Sequence, residues 1–168
     1  MTLKLKILVF CCVNWLTDIS QNAEHFYFSG IVKDSLGDFT GAIIDFTKAI
    51  ELNPKQADYY FCRGAAYDAL ENYLTAISDY NKAIEINPND EYYYYNRACS
   101  KDALKNYKDA IADYNKAIEL NPWDPYFYFN RGFSKSDSGD KKGACEDWTQ
   151  AAKLGEMDAK KTLKEHCK

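Results

Sequence analysis

The chain has 168 residues, of which 46% are hydrophobic and 27% charged, with 25 acidic against 21 basic side chains for a net charge of −4. Those proportions suit a globular fold with a real core. The acidic balance argues against a nucleic-acid partner, which is recognised through clustered lysine and arginine.

The N-terminus differs in kind from the rest. Lys4 and Lys6 precede the apolar run ILVFCCVNWL, and the polar stretch TDISQNA follows. That order is the order of a secretory signal peptide, and the run is short for crossing a bilayer. Residues 1–20 are therefore read as a signal peptide sending the protein to a periplasmic or extracellular compartment. An uncleaved membrane anchor and a buried apolar N-terminal helix are the alternatives. Ser20 suits a cleavage site, whereas Asp18 does not.

Beyond it runs a ruler. Pro54, Pro88 and Pro122 stand 34 residues apart, closing the phrases AIIDFTKAIELNP, AISDYNKAIEINP and AIADYNKAIELNP. A fixed period of this size marks stacked units, each burying its apolar face only against its neighbours. The units are residues 23–56, 57–90, 91–124 and 125–158, with residues 1–20 outside them. Columns recur: Phe26, Tyr60, Tyr94, Tyr128; Gly30, Gly64, Ala98, Gly132; Ala42, Ala76, Ala110, Ala144; Phe46, Tyr80, Tyr114, Trp148; Ala49, Ala83, Ala117, Ala151. Small residues let helices approach closely and the aromatics fill the volume beside them.

Each unit reads as two helices. The first ends near Leu36, Leu70, Leu104 or Ser138, before the turn-forming pairs Gly37-Asp38, Glu71-Asn72, Lys105-Asn106 and Gly139-Asp140. The second stops at Asn-Pro, because proline disfavours helical geometry in the residue before it. The fourth unit lacks that proline and ends at Gly155-Glu156. Residues 159–168 carry one apolar line, Ala159, Leu163 and Cys167, on an otherwise polar segment, as a capping helix should.

This pattern resembles the tetratricopeptide repeat, whose helix–turn–helix unit shows the same order of aromatic, small, small, aromatic, small and proline positions. The resemblance implies an all-α, right-handed superhelical solenoid ending in a C-terminal capping helix. It also implies a concave face lined by the second, fifth, ninth and twelfth residues of each first helix. Those positions include Tyr27 and Asp34, Phe61 and Asp68, Tyr92, Tyr95 and Asp102, and Tyr126, Phe129 and Phe133. An aromatic groove with a mildly acidic rail of Asp34, Asp68 and Asp102 suits an extended protein segment of basic or apolar character. The alternative is an assembly factor whose exposed aromatics serve self-association or a membrane complex. Chaperone-docking members clamp a carboxylate with lysine, asparagine and arginine. The equivalent places here hold Phe61, Ala65, Asn96, Tyr126 and Asn130, or one unit earlier Tyr27, Ile31, Cys62, Tyr92 and Asn96, with no cation among them.

Catalytic patterns are missing from the sequence: no GxSxG, Walker-type glycine loop or HExxH occurs, and His25 and His166 stand at opposite ends of the array. The reading is a non-catalytic protein with no cofactor and no metal site. The aspartate column Asp45, Asp79, Asp113, Asp147 shares its period with Arg63, Arg97 and Arg131, which points to ion pairs between packed helices. Because unit one lacks the arginine, each aspartate is expected to meet the arginine of the next unit. Pairing within a unit is the alternative, leaving Asp45 alone. Cys62 and Cys99 read as core filler, while Cys145 and Cys167 come level if the cap folds back and could bond in an oxidising compartment.

Overall fold

The computed structural model describes residues 22–167, and the N-terminal segment read as a leader, with Cys11 and Cys12, lies outside them. Among the described residues all regular structure is helical, and no helix is long and apolar enough to cross a membrane. Helix α1 covers 22–35 and pairs with α2 (Phe39–Leu52). The pattern repeats as α3 (Ala57–Ala69) with α4 (Tyr73–Ile86), α5 (Glu91–Ala103) with α6 (Tyr107–Leu120), and α7 (Pro125–Asp137) with α8 (Lys141–Lys153). Helix α9 (Met157–His166) closes the array. Each helix packs on the next, and α5 additionally touches α3 and α7, so the first helices form the inner layer of the curve. This is the right-handed superhelical solenoid implied by the repeat.

The local signals act where the sequence places them. Asp38, Asp90, Asp124 and Asp140 cap helix N-termini with side-chain oxygens that accept from the backbone N–H of Gly41, Tyr92, Tyr126 and Gly143. Asn53, Asn87 and Asn121 end the second helices just before a proline. The turn within each unit needs a left-handed residue, met by Gly37 (φ 80°) and Gly139 (φ 98°) but by Glu71 (φ 59°) and Lys105 (φ 60°) in the middle units. Helix α9 starts two residues before the expected 159, because Gly155 (φ 108°) breaks the chain and Glu156 caps the new helix.

The core is a stack of identical layers. The two alanine columns are fully buried, and Phe46, Tyr80, Tyr114 and Trp148 lie between them. The glycine column explains itself by close approach. A Cβ on Gly30 would stand 2.6 Å from the Phe46 ring and one on Gly64 2.9 Å from the Tyr80 ring, while at Gly132 it would run into the Trp148 indole.

The aspartates pair within units rather than with the following unit. Arg63 grips Asp79 with two bonds of 2.8 and 2.7 Å, and Arg97–Asp113 and Arg131–Asp147 repeat the fork at 2.8 and 2.6 Å. Both partners lie on facing helices of one hairpin, sixteen residues apart, which is the shorter route across the repeat. Each guanidinium also reaches back to the preceding unit, donating to Thr47, Asn81 or Asn115. Asp45 is not left alone: Ser29 Oγ (2.7 Å) and Lys33 Nζ (2.5 Å) take the arginine's place. Burial alone would raise its pKa, but the bonds from Lys33 and Ser29 outweigh burial and hold it below the ordinary value.

Cys145 and Cys167 are joined by a disulfide, with Cα atoms 5.8 Å apart, tying α8 to the end of α9. Cys62 and Cys99 are free and half-buried, and burial pushes both thiols up to about 11. Such thiols are poor nucleophiles.

Candidate functional site

The groove is best followed column by column along α1, α3, α5 and α7. The second positions are its open rim: Tyr92 is 46% and Tyr126 55% exposed. The ninth positions also reach solvent, with Ile31 and Phe133 each 39% exposed. These four residues are its freest apolar surface.

The fifth positions do a second job. Tyr27, Phe61 and Tyr95 are half-buried because the next unit lays a ring against each: Tyr59, Tyr93 and Phe127, at centroid distances of 4.9, 5.0 and 5.1 Å. Phe129, in the last unit, packs on Phe133 instead, 5.0 Å away. The stripe is thus continuous, but its middle rings are clamped into the seams between units and offer only their outer edges. The clamping rings lie two residues before the fifth position of the next first helix, and the Tyr59, Tyr93, Phe127 column is the sequence signal for them.

The aspartate rail is likewise built in. Asp68 accepts from Tyr80 Oη (2.7 Å) on its own hairpin and from Ser100 Oγ (2.8 Å) of the next unit. Asp102 repeats this with Tyr114 Oη (2.9 Å) and Ser134 Oγ (2.6 Å), both on Oδ2, while Oδ1 is buried with no partner. Asp34 has no such hydroxyls facing it, since Phe46 and Ala66 occupy the equivalent places. Burial raises the pKa of all three carboxyls, opposed at Asp68 and Asp102 by the hydroxyl bonds. Asp58 and Asp124 add charge at the rim, taking bonds from Tyr93 Oη (2.6 Å) and Tyr92 Oη (3.5 Å). The arginines stack on Tyr60, Tyr94 and Tyr128, on the opposite side of the same helices by helical period, so the groove keeps its acidic character. The two asparagines nearest the clamp positions are occupied internally: Asn96 Nδ2 donates to the Tyr92 carbonyl (2.8 Å) and Asn130 Nδ2 to Tyr95 Oη (2.6 Å). Among the described residues no group of His, Cys, Asp and Glu is arranged to hold a metal ion.

Family profiles described as tetratricopeptide repeat or TPR repeat match residues 57–90, 35–71, 103–139 and 79–112, together spanning 35–139. The chain belongs to the tetratricopeptide-repeat family. Its fold is similar to the crystal structure of MamA, at 24% identity and a TM-score of 0.78 over 83% of this chain and 81% of that one. It is also similar to a MamA fragment from Desulfovibrio magneticus RS-1 (26% identity, TM-score 0.76, 79% and 75% covered). A third similar structure is the first repeat domain of Spaghetti (RPAP3) bound to the HSP90 peptide SRMEEVD (26% identity, TM-score 0.69, 70% and 93% covered). No curated protein matches the sequence significantly. These neighbours support a protein–protein interaction scaffold.

Proposed function

We propose that this tetratricopeptide-repeat protein is a non-catalytic scaffold that holds an extended basic or apolar protein segment along its inner face. The observation that carries this is the pairing of exposed Tyr92 and Tyr126 with a groove whose charged side chains, Asp34, Asp58, Asp68, Asp102 and Asp124, are all carboxylates. Aromatic anchors beside a polar rim make binding hot spots, and the negative field attracts cationic segments. A repeat domain holding a peptide has a precedent in the Spaghetti structure, whose peptide ends in acidic residues. The groove here has no lysine or arginine at the clamp positions, which supports a different class of segment.

Selection from a random peptide-display library tests this. Enriched peptides should be basic or apolar and should lose at least about 30-fold in affinity on Tyr92→Ala with Tyr126→Ala, corresponding to roughly 2 kcal/mol. Peptides that bind the double variant as well as the wild type would overturn the reading. A chain that enriches no peptide and instead grows in mass with concentration would favour self-assembly.

A further inference from the structure

In each unit after the first, three columns of the first helix face back onto the unit before. Tyr59, Tyr93 and Phe127 lay their rings there. Cys62 and Asn130 reach the hydroxyls of Tyr27 and Tyr95. Ala66, Ser100 and Ser134 are sealed from solvent. In α1 these columns hold His25, Phe28 and Val32, and here the face is open: Phe28 is 61% and Val32 57% exposed. The end of the solenoid is therefore shaped as a docking face and carries large apolar side chains.

The ruler says what fits it. One period before α2 (39 − 34 = 5, 52 − 34 = 18) lie residues 5–18. The clusters in which α2 meets α3 use Phe39, Ala42, Ile43, Phe46, Ala49, Ile50 and Leu52. One period earlier stand Leu5, Leu8, Val9, Cys12, Trp15 and Leu16, all apolar, with Asp18 at the last position of the segment. The columns that α2 turns to solvent at Thr40, Ile44, Lys48 and Glu51 correspond to Lys6, Phe10, Asn14 and Thr17, three polar and, as in α2 itself, one apolar. This register fits better than either neighbouring one. A shift of one residue later puts Lys6 and Thr17 inside and Ile7 and Trp15 outside; a shift the other way buries Lys4 and Asn14. Residues 19–22 then match the connection 53–56 between α2 and α3. Cys11 falls in the aspartate column, whose only task is to pair with a first helix of its own unit. A secretory leader needs an apolar run but no such phase.

We propose that residues 5–18 dock on the open end of the array in the place of a preceding second helix, covering Phe28 and Val32. This selects the buried helix among the three readings of the N-terminus, and it is independent of the groove.

The test uses the full chain. In α2 the Phe46 ring packs with Cys62 and Ala66, so Cys12 should lie beside positions 28 and 32. With Cys11, Cys62 and Cys99 changed to serine, Phe28→Cys or Val32→Cys is oxidised mildly, and the monomer is digested for mass spectrometry. The expected result is an intrachain bond from Cys12 to the new cysteine, at least tenfold more abundant than in a control that keeps Cys11 and carries Cys12→Ser. Protein recovered from its native host should retain residues 5–18 in its intact mass. The proposal is overturned if both variants give no bond, equal bonding with Cys11, or bonding only between chains. Removal of the segment in the host would overturn it equally.

Discussion

In the third unit Asp113 sits between Arg97 and Lys101, whose side chains are themselves mostly shielded. In the first unit the same aspartate position, Asp45, is held by Ser29 and a more exposed Lys33. The difference continues along the groove, where Asp102 joins Tyr114 to Ser134 of the next unit while Asp34 faces Phe46 and Ala66, which have no hydroxyl. Both units share backbone, alanine columns and aromatic layer. What changes is the polar ladder within and between units, complete in the middle and reduced at the N-terminal end. The alanine and aromatic columns, the Arg–Asp forks and the Tyr–Asp bonds hold each hairpin together, while the Ser–Asp bonds and the arginine bonds to Thr47, Asn81 and Asn115 fasten one hairpin to the next.

The sharpest way to break that contrast is to remove one cation from each unit. Arg97→Ala leaves Asp113 buried with only Lys101 and should cost about 3 kcal/mol in denaturant unfolding, near the cost of stripping one partner from a buried pair. Lys33→Ala, at a half-exposed site, should cost about 1 kcal/mol or less. Equal losses would show that the fork adds nothing over a single lysine. Next in size is Gly132→Ala, which forces a methyl onto Trp148, whose Nε1 is fixed 3.1 Å from the Phe129 carbonyl. Overpacking there should cost about 1–3 kcal/mol and lower the melting temperature. Trp148→Phe in the same chain should recover part of the loss.

Smaller again are the turns. Glu71 and Lys105 adopt left-handed backbone where units one and four have glycine. Glu71→Gly and Lys105→Gly should each stabilise by about 0.5 kcal/mol, the strain relieved slightly exceeding the entropy lost. A fall in the melting temperature of both variants would contradict this.

The smallest effect is in pH. Burial raises the carboxyls of Asp68 and Asp102, so the folded state binds their protons more tightly than the unfolded chain does. Each therefore destabilises once ionised, and that cost fades as pH falls through the folded pKa. Asp45 has the opposite sign, its contribution being lost on acidification. Asp102→Asn keeps an oxygen for Tyr114 and Ser134 while removing the charge. It should raise stability by less than about 1 kcal/mol at pH 7, with the gain vanishing near pH 4.

Most of the fold was legible because its determinants repeat. Proline, glycine and alanine columns act locally, so their periods translate directly into helix ends and close approaches. The ion pairs were read to the wrong partner, because the missing arginine in unit one suggested a shift between units. The substitution was instead absorbed inside the unit by Ser29 and Lys33. The groove columns could be named from the repeat, but their burial could not. Whether Tyr95 is free depends on Phe127, Asn130 and Tyr114, which come from neighbouring helices. The open end at Phe28 and Val32 became visible only when the same columns were seen buried in three later units.

The central claim is that partners lie on the inner face. A photo-crosslinking residue placed at Tyr92 or Tyr126, compared with one at the exposed outer positions Ile44 or Leu74, tests it most directly with the peptides selected from the display library. The account predicts covalent peptide adducts from positions 92 and 126 and none above background from 44 and 74. Adducts concentrated at 44 and 74, with circular dichroism unchanged, would place binding on the outer surface and contradict it.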